Sequence, residues 1–492
     1  MKFNIWKFVA GLKPKYILVF LAIILPLSVY FTLQLKFSYD YEDFFPKGDP
    51  DLDFYYTFRD QFEHDDNFLL VGLKPEQGVF DLKFLTSLDS ATNKIQRSIY
   101  SERTYSLTNF NYFIKSPFGF IDYPALHIYE PEKYSDDSSR IHLDERISGK
   151  LISDDFSTTI IFIKTDDTLS QEESVLFITE VKKGLSESGI SDFHLLGKSN
   201  FQVELVKLQR KEFLIYSLLS VLLVGVVTYL LFRKIRAVFI CMITVAISLI
   251  IFTGLLGFTQ IEQNVMSTLF PIVIIIIGIS DAVHFLGKYI IELRKNNNRE
   301  IALFKTLSDI GFATLLTAVT SAIGFLTMLT SNVPPIRFFG VLSALGVLLV
   351  YVVVLFLISP LLKLFTLKQL DKFGYAGENK WGGIVEVIYN SGKNHTRKML
   401  TISAVILLIF TYGITQITTD IHLEAGMPKN AKITEDFHFF EENFNGFRPF
   451  EIAAHAKNNY TITDPVVLRE IDKVETYVKQ NEIINGLQSI TM

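Results

Sequence analysis

The chain has 492 residues, of which 49% are hydrophobic and only 20% are charged, and its mean hydropathy is +0.30. This composition excludes an ordinary soluble protein and indicates a membrane protein with a sizeable polar part. The formal net charge is -5, and the sequence contains no basic stripe or zinc-ligand spacing, so we predict no nucleic acid partner. Cys241 is the only cysteine, which excludes a disulfide within one chain.

The first predicted element is a membrane span near the N-terminus. Residues 1–15 are basic, and the apolar segment from Tyr16 to Leu33 is about long enough to cross a bilayer. A cleaved signal peptide is the alternative interpretation, but no small-x-small cleavage pattern follows the segment. We therefore predict that residues 1–36 form a cytoplasmic interfacial segment and the first transmembrane helix.

Residues 37–207 are polar and mixed, which predicts a wet α/β domain. Strand and helix patterns alternate along it. They are Asn67–Leu73 (strand), Phe84–Ile99 (helix), Thr158–Ile163 (strand), Glu172–Leu185 (helix) and Phe193–Leu196 (strand). The order is typical of a split βαβ, ferredoxin-like domain. Residues 100–150 are aromatic and receive no assignment.

Apolar segments of membrane-spanning length return after this domain. The predicted spans are 213–232, 236–258, 266–289, 308–330, 336–364 and 399–417. Basic loops alternate with loops that carry few charges, and an N-terminus inside the cell places every basic loop on the cytoplasmic side. We predict transmembrane helices 2–6 in residues 208–365, a cytoplasmic amphipathic linker in 366–398, the seventh transmembrane helix in 399–418, and the start of a second extracytoplasmic domain in 419–492.

The chain contains an internal repeat. The sequence EDFFPK, with Pro46, follows the first span, and EAGMPK, with Pro428, follows the seventh; 428 minus 46 gives an offset of 382. The same offset aligns Phe58 with Phe440, Phe62 with Phe444 and Phe68 with Phe450. A shared spacing after equivalent spans indicates a second copy that begins near residue 380. We expect Met492 to fall within the second outer domain.

Asp281 interrupts the apolar fourth span, which is uncharged from Phe270 to Ile279. A carboxylate in such a helix costs about 2.5–3.5 kcal/mol or more, and intramembrane acids usually mark ion or proton pathways. Burial favours the neutral form of a carboxyl group, so that it can exchange a proton near physiological pH. We predict that Asp281 is a proton acceptor. The alternative is a structural carboxylate that accepts hydrogen bonds from neighbouring Ser or Thr hydroxyls.

Three further residues are candidates for a proton relay with Asp281. His284 lies three positions later on the same helical face and belongs to the residue type that exchanges protons near neutral pH; a hydrated, passive histidine near the interface is the alternative. Thr317 and Thr320 of the fifth span are candidates to face Asp281, although Ser and Thr also pack between membrane helices without a further role. Two ligands are too few for a zinc site, so we predict no metal and no cofactor.

Small residues in the fifth and sixth spans are predicted to permit close packing of membrane helices. They are Gly324, Gly340 and Gly346.

Several motifs in this order resemble the resistance-nodulation-division (RND) superfamily, specifically its lipid-exporter-like MMPL branch. They are GISDAVHFLGKY in the fourth span, TAVTSAIGFLTMLTSNVPPIRFFG from Thr317 to Gly340, and the following VLSALGVLLVYVVVLFLISPLL. The block 213–365 also resembles the sterol-sensing domain of Patched-like proteins. The resemblance implies an α-helical polytopic protein of the cytoplasmic (inner) membrane, with extracytoplasmic porter-type domains. It also implies that this chain is the N-terminal part of a twelve-span protein.

The same resemblance implies proton-driven export of a lipid or another hydrophobic or amphiphilic molecule. It places the role of the proton-carrying acid of the fourth span on Asp281; many members have Asp-Tyr there, whereas this chain has Asp281-Ala282 and adds His284. It further implies a homo-oligomer, or a partner that supplies the second half. Two alternatives stay open: a sterol-sensing-like lipid-binding or sensor module, and a secretion motor similar to SecDF proteins. We expect no enzymatic activity, because the sequence has no nucleophile elbow or phosphate loop.

Overall fold

The computed structural model describes residues 5–62, 67–116, 119–144, 146–166, 169–296, 298–364, 381–417, 431–444, 452–457 and 460–480. The chain divides into two compact units. The first comprises Met1–Gly48 and Val206–Asp420, and the second comprises Asp49–Leu205 and Ile421–Met492. The domain boundaries predicted from the sequence differ from the boundaries of these two units, and they stay predictions.

Helices dominate the described residues. In chain order they are α1 (Ile5–Gly11), α2 (Pro14–Thr32), α3 (Pro50–Phe62), α4 (Leu82–Gln96), α5 (Tyr134–His142), α6 (Gln171–Glu187), α7 (Lys198–Phe232), α8 (Ile235–Thr259), α9 (Phe270–Asn296), α10 (Arg299–Leu326), α11 (Pro334–Leu364), α12 (Trp381–Asn394), α13 (Thr396–Ile414), α14 (Lys432–Phe444) and α15 (Pro465–Lys479). The strands are β1 (Phe68–Leu73), β2 (Ser101–Tyr105), β3 (Asn111–Ser116), β4 (Gly119–Pro124), β5 (Thr159–Thr165) and β6 (His194–Gly197).

Seven of the described helices are long and apolar enough to cross a membrane: α2, α7, α8, α9, α10, α11 and α13. Each of the seven predicted spans thus corresponds to a helix that is a candidate to cross the membrane. Two helices begin more than one turn before their predicted spans, α7 at Lys198 rather than residue 213 and α10 at Arg299 rather than residue 308. The side chain of Asn298 caps α10 by accepting from the backbone N of Glu300 at 3.0 Å. The turns that follow it are amphipathic, so hydropathy alone does not detect them.

Three helices form the interior of the first unit. In the most apolar part of each span, 61% of the residues of α8, 50% of those of α9 and 56% of those of α11 are buried, compared with 0% for α13. A row of aromatic rings joins these three helices. The ring centroid of Phe270 in α9 lies 5.5 Å from that of Phe252 in α8 and 5.3 Å from that of Phe339 in α11. The short helix α1 is attached to α11, where Ser359 donates to the carbonyl of Val9 at 3.2 Å.

The second unit contains an antiparallel four-stranded sheet in the order β2-β5-β1-β6. Helix α4 connects β1 to β2, and α6 connects β5 to β6. The five elements predicted from the sequence are confirmed as β1, α4, β5, α6 and β6. A capping box between Ser170 and Glu173 starts α6. The unassigned region 100–150 contains β2, the β3–β4 hairpin and α5.

The structure confirms the internal repeat. Helices α2 and α13 begin and end at the same offset, since 396 minus 14 and 414 minus 32 both give 382. Helices α3 and α14 share this offset at both ends, and α4 and α15 follow at 383. Three pairs of helices thus agree in spacing, and the two helices of each pair have the same length, which indicates two copies of one architecture. Other parts of the repeat lie outside the described residues, namely the EAGMPK segment and Phe450.

Part of the predicted cytoplasmic linker, residues 366–380, also lies outside the described residues.

Two of the three predicted close-packing glycines are confirmed. A Cβ at Gly340 would lie 2.6 Å from the backbone carbonyl oxygen of Phe325 and 2.7 Å from Cβ of Met328. A Cβ at Gly346 would lie 2.6 Å from Cδ1 of Ile274. The prediction is wrong for Gly324, which has no atom within 4 Å of an added Cβ, because this position lies on the exposed side of α10.

The two glycines of this helix pair provide a matched stability test. Gly340→Ala should lower the free energy of unfolding by about 1–3 kcal/mol, because the new methyl group meets backbone that has to move. Gly324→Ala should leave it unchanged or raise it by about 0.5–1 kcal/mol, because alanine is the better helix former. Thermal unfolding of both variants in one detergent measures the difference. Equal midpoints would contradict the close packing of α10 on α11.

Candidate functional site

Helix α9 passes through the interior of the bundle and carries the candidate site. A 3-10 turn (Val265–Leu269) precedes it, and Asn264 caps this turn by accepting from the backbone N of Met266 at 3.0 Å. Gly278 allows α8 and α11 to approach α9 closely, since a Cβ there would lie 3.4 Å from Cγ2 of Val245 and 3.2 Å from Cγ1 of Val350. The next turn of α9 begins at Asp281.

The carboxyl group of Asp281 is buried inside the bundle. Asp281 is 4% exposed, and its Oδ2 atom has no hydrogen-bond partner among the described residues. Tyr351 of α11 lies close enough for an electrostatic interaction with it. The Tyr351 hydroxyl donates to the carbonyl of Gly311 in α10 at 2.9 Å. Asp281 therefore occupies an apolar junction of interior helices with an unsatisfied oxygen, which is costly for an ionised group.

Glu292, three turns further along α9, provides a contrast. It is 5% exposed, yet its carboxylate lies 3.2 Å from Nζ of Lys288, 3.9 Å from Nζ of Lys295 and 4.0 Å from Nζ of Lys305. Asn296 also donates to it at 3.2 Å. These ion pairs are typical of a carboxylate with a structural role. Two buried acids on one helix thus have opposite surroundings, and only Asp281 has an oxygen without a partner.

The structure does not bring the three predicted relay residues into hydrogen bonds with Asp281 within the part of the chain that it describes. His284 lies on an exposed side of α9. Thr317 and Thr320 are exposed on α10, and their hydroxyls donate to carbonyls of their own helix, those of Ala313 at 3.1 Å and of Leu316. The relay stays a prediction that requires these side chains to change partners.

The structure adds buried hydroxyl groups that the sequence analysis did not select. Tyr351 is 6% exposed and lies beside Asp281. Ser267 and Ser343 are fully buried, and their Oγ atoms have no hydrogen-bond partner in the described ranges. The sequence signal that could have identified Ser343 and Tyr351 is a hydroxyl-bearing residue inside an otherwise apolar run, VLSALGVLLVYVVVLF. No cluster of three or more His, Cys, Asp or Glu residues that could hold a metal occurs among the described residues.

An apolar groove lies elsewhere in the same unit, between α7 and α8. It encloses about 780 Å³ and is open at one side. Leu218, Leu222 and Tyr229 line it from α7, and Val238, Met242 and Leu249 line it from α8. A groove of this size and lining fits a hydrophobic chain.

These features define a multi-pass membrane protein whose interior helices bury a carboxyl group, one oxygen of which has no hydrogen-bond partner among the described residues. Residues 117–379, more than half of the chain, match the MMPL family. The chain therefore belongs to the MMPL family of the RND superfamily, and as a member it is a membrane-embedded transporter of hydrophobic substrates in general. No curated protein matches the chain.

The two buried acids of α9 should respond differently to neutralisation. Asp281→Asn should leave the thermal stability unchanged or raise it, because the variant removes a charge that lacks a full set of partners. Glu292→Gln should lower the thermal midpoint, because the loss of the charge removes the ion pairs of this side chain with Lys288, Lys295 and Lys305. Thermal unfolding of both purified variants measures the contrast. A destabilisation by Asp281→Asn as large as that by Glu292→Gln would contradict the assignment.

Proposed function

We propose that this chain couples proton movement to the export of a lipid or another hydrophobic or amphiphilic molecule. Asp281 is the group that takes up and releases the proton. The observation that carries the proposal is the unpartnered Oδ2 of Asp281 inside the bundle. An ionised carboxylate there bears a desolvation cost that proton uptake removes. Intramembrane acids in such surroundings are typical of proton relays in transporters.

Proton uptake changes the packing preference of α9. The neutral acid is compatible with a dry junction, whereas the charged form favours water or a donor beside it. Gly278 holds α8 and α11 against α9 one turn before this carboxyl group, so hydration at Asp281 requires these helices to move apart. The proton thus shifts the population between two arrangements of the interior helices, which is the coupling that a transporter needs.

The apolar groove between α7 and α8 supports the proposal that the substrate is hydrophobic. Its lining is almost entirely apolar, which is compatible with an acyl chain or a comparable apolar group lying in it. The same observation favours a second candidate, a sterol-sensing-like module that binds lipid without transporting it. The two functions differ in whether Asp281 must ionise, since binding in the groove alone does not need the acid.

The topology that we propose follows from the positive-inside rule. The N-terminus and the basic loops, such as Arg233-Lys234, lie in the cytoplasm, and the α/β unit lies outside the cytoplasmic membrane. The antiparallel strand order of this unit and its two crossing helices support a ferredoxin-like porter domain. The proposal includes a homo-oligomer as the assembly in the membrane. No enzymatic step is included.

The proposal is tested by removing the ionisable group. In proteoliposomes prepared with a total lipid extract, an imposed pH gradient should drive proton flux through the native protein. Asp281→Asn should reduce this flux to the background of protein-free liposomes, while lipid bound to the purified variant should stay unchanged. Glu292→Gln is the matched control, because it removes the other buried acid of α9; its folded fraction should retain flux. Unchanged gradient-driven flux in Asp281→Asn would contradict proton coupling, and loss of bound lipid without loss of flux would contradict the transport proposal as well.

A second comparison of variants distinguishes a proton relay through Thr317 and Thr320 from one through Tyr351. Tyr351→Phe should reduce proton flux more than Thr317→Val or Thr320→Val. The Tyr351 hydroxyl is buried, interacts electrostatically with Asp281 and donates to the carbonyl of Gly311, whereas the two threonine hydroxyls are exposed and donate to carbonyls of their own helix. The same flux assay, corrected for the amount of folded protein, gives the order. A larger loss in either threonine variant would favour the relay through α10.

A further inference from the structure

The short N-terminal helix α1 is anchored on α11, one of the helices that surround Asp281. The hydroxyl of Ser359 donates to the carbonyl of Val9 at 3.2 Å. Nζ of Lys363 donates to the carbonyl of Leu12 at 2.8 Å and to that of Ala10. The last carbonyl groups of a helix have no partner within the helix itself. The side chains of α11 therefore bind the C-terminal end of α1.

Helix α1 also packs on α10, through the ring of Trp6. A Cβ at Gly311 of α10 would lie 2.5 Å from Cζ3 and 2.9 Å from Cη2 of this ring. The ring thus lies directly on the backbone of α10, at a position where only glycine leaves room. Because α1 is anchored on α11 and packs on α10, it acts as a brace between these two helices.

The backbone that Trp6 contacts also binds Tyr351. The Tyr351 hydroxyl donates to the carbonyl of Gly311 at 2.9 Å, and the same side chain interacts electrostatically with Asp281. A tyrosine hydroxyl has one proton to donate. While it donates to Gly311, it does not donate to Asp281, whose Oδ2 has no hydrogen-bond partner among the described residues. The Gly311 carbonyl and the carboxyl group of Asp281 therefore compete for one donor.

Other ionisable side chains on the helices packed around this carboxyl group have partners of their own or are exposed. Oδ2 of Asp309 in α10 lies 2.9 Å from Nζ of Lys288 in α9. The thiol of Cys241 in α8 interacts with a hydroxyl group of α7, and His284 lies on the exposed side of α9. Tyr351 is therefore the neighbour whose hydrogen bond can change the state of the carboxyl group.

We propose that Trp6 is a positioning residue for the proton site. Its ring holds the Gly311 carbonyl in place to accept from Tyr351. With α1 docked, Asp281 lacks this donor, which favours its neutral form. With Trp6 withdrawn, the Gly311 carbonyl loses its support, and Tyr351 donates to the carboxylate, which is a stronger acceptor than a neutral carbonyl. This inference rests on the proposed function, in which Asp281 exchanges a proton, and it makes α1 a regulator of proton release.

Infrared difference spectroscopy of the full chain in lipid tests the proposal, because it measures the pH at which the protonated carboxyl band of Asp281 appears. Trp6→Ala should move this midpoint to lower pH by about one unit, since a hydrogen bond to an ionised group stabilises that form. Gly311→Ala should move it in the same direction, because the new methyl group displaces the ring. The matched control is Phe8→Ala, which removes an exposed ring of the same helix and should leave the midpoint unchanged.

A double-variant comparison separates positioning from a general loss of packing. In a Tyr351→Phe background, Trp6→Ala should cause no further shift, because the hydroxyl group through which the ring acts is absent. Trp6→Phe keeps an aromatic ring on Gly311 and should retain most of the native midpoint. An unchanged or higher midpoint in Trp6→Ala would overturn the proposal, and so would a shift of the same size with and without the Tyr351 hydroxyl.

The native ring of Trp6 provides a second readout that leaves the contact intact. Trp6 and Trp381 are the two tryptophans of the chain, so Trp381→Phe leaves Trp6 as the only one. Coupling between two sites is reciprocal, and the emission of Trp6 should therefore change over the pH range in which the Asp281 band appears. This change should be lost in Asp281→Asn. Emission that ignores pH, or that follows it equally in Asp281→Asn, would overturn the proposal.

The outcomes also distinguish a failure of this inference from a failure of the proposed function. A native protein without a pH-dependent band from Asp281 would overturn both. A native band that neither Trp6→Ala nor Gly311→Ala moves would overturn only the role of Trp6.

Discussion

The proposed function of the bundle depends on one constraint, the desolvation of the Asp281 carboxylate. The interior helices α8, α9 and α11 pack through aromatic rings and glycines, and Oδ2 of Asp281 finds no hydrogen-bond partner there among the described residues. An ion in that position is stable only if the packing opens or a proton arrives. The same close packing that stabilises the bundle therefore makes its arrangement depend on the protonation of one residue.

Glu292, three turns further along α9, is the contrasting acid. It has little solvent-accessible area, but it lies among partly exposed lysines of α9 and α10. A carboxylate paired in this way holds helices together in its charged form, and it has little to gain from taking up a proton. The donors around Glu292 therefore favour a structural role, whereas the lack of donors at Oδ2 of Asp281 among the described residues supports the proposed proton-carrying role.

The sequence predicted the spans, the main elements of the sheet and the repeat, because each depends on local hydropathy or on spacing. It did not predict the start of α10, where amphipathic turns beside Asn298 replace an apolar run, or the β3–β4 hairpin in an aromatic region without clear alternation. Tyr351 was missed because its proximity to Asp281 arises from the packing of α11 on α9. His284 shares a side of the helix with Asp281 only loosely, since three residues turn a helix to within roughly 60° of the starting direction, and that difference places it on the exposed side.

The central claim is that Asp281 gains and loses a proton inside the bilayer, and infrared difference spectroscopy of the protein in lipid tests it most directly. The account predicts a carbonyl stretching band of a protonated carboxyl group that appears as the pH is lowered through the physiological range and is absent in Asp281→Asn. The band should remain in Glu292→Gln, which keeps Asp281 intact. A spectrum in which Asp281→Asn and the native protein show the same pH-dependent carboxyl bands would contradict the account.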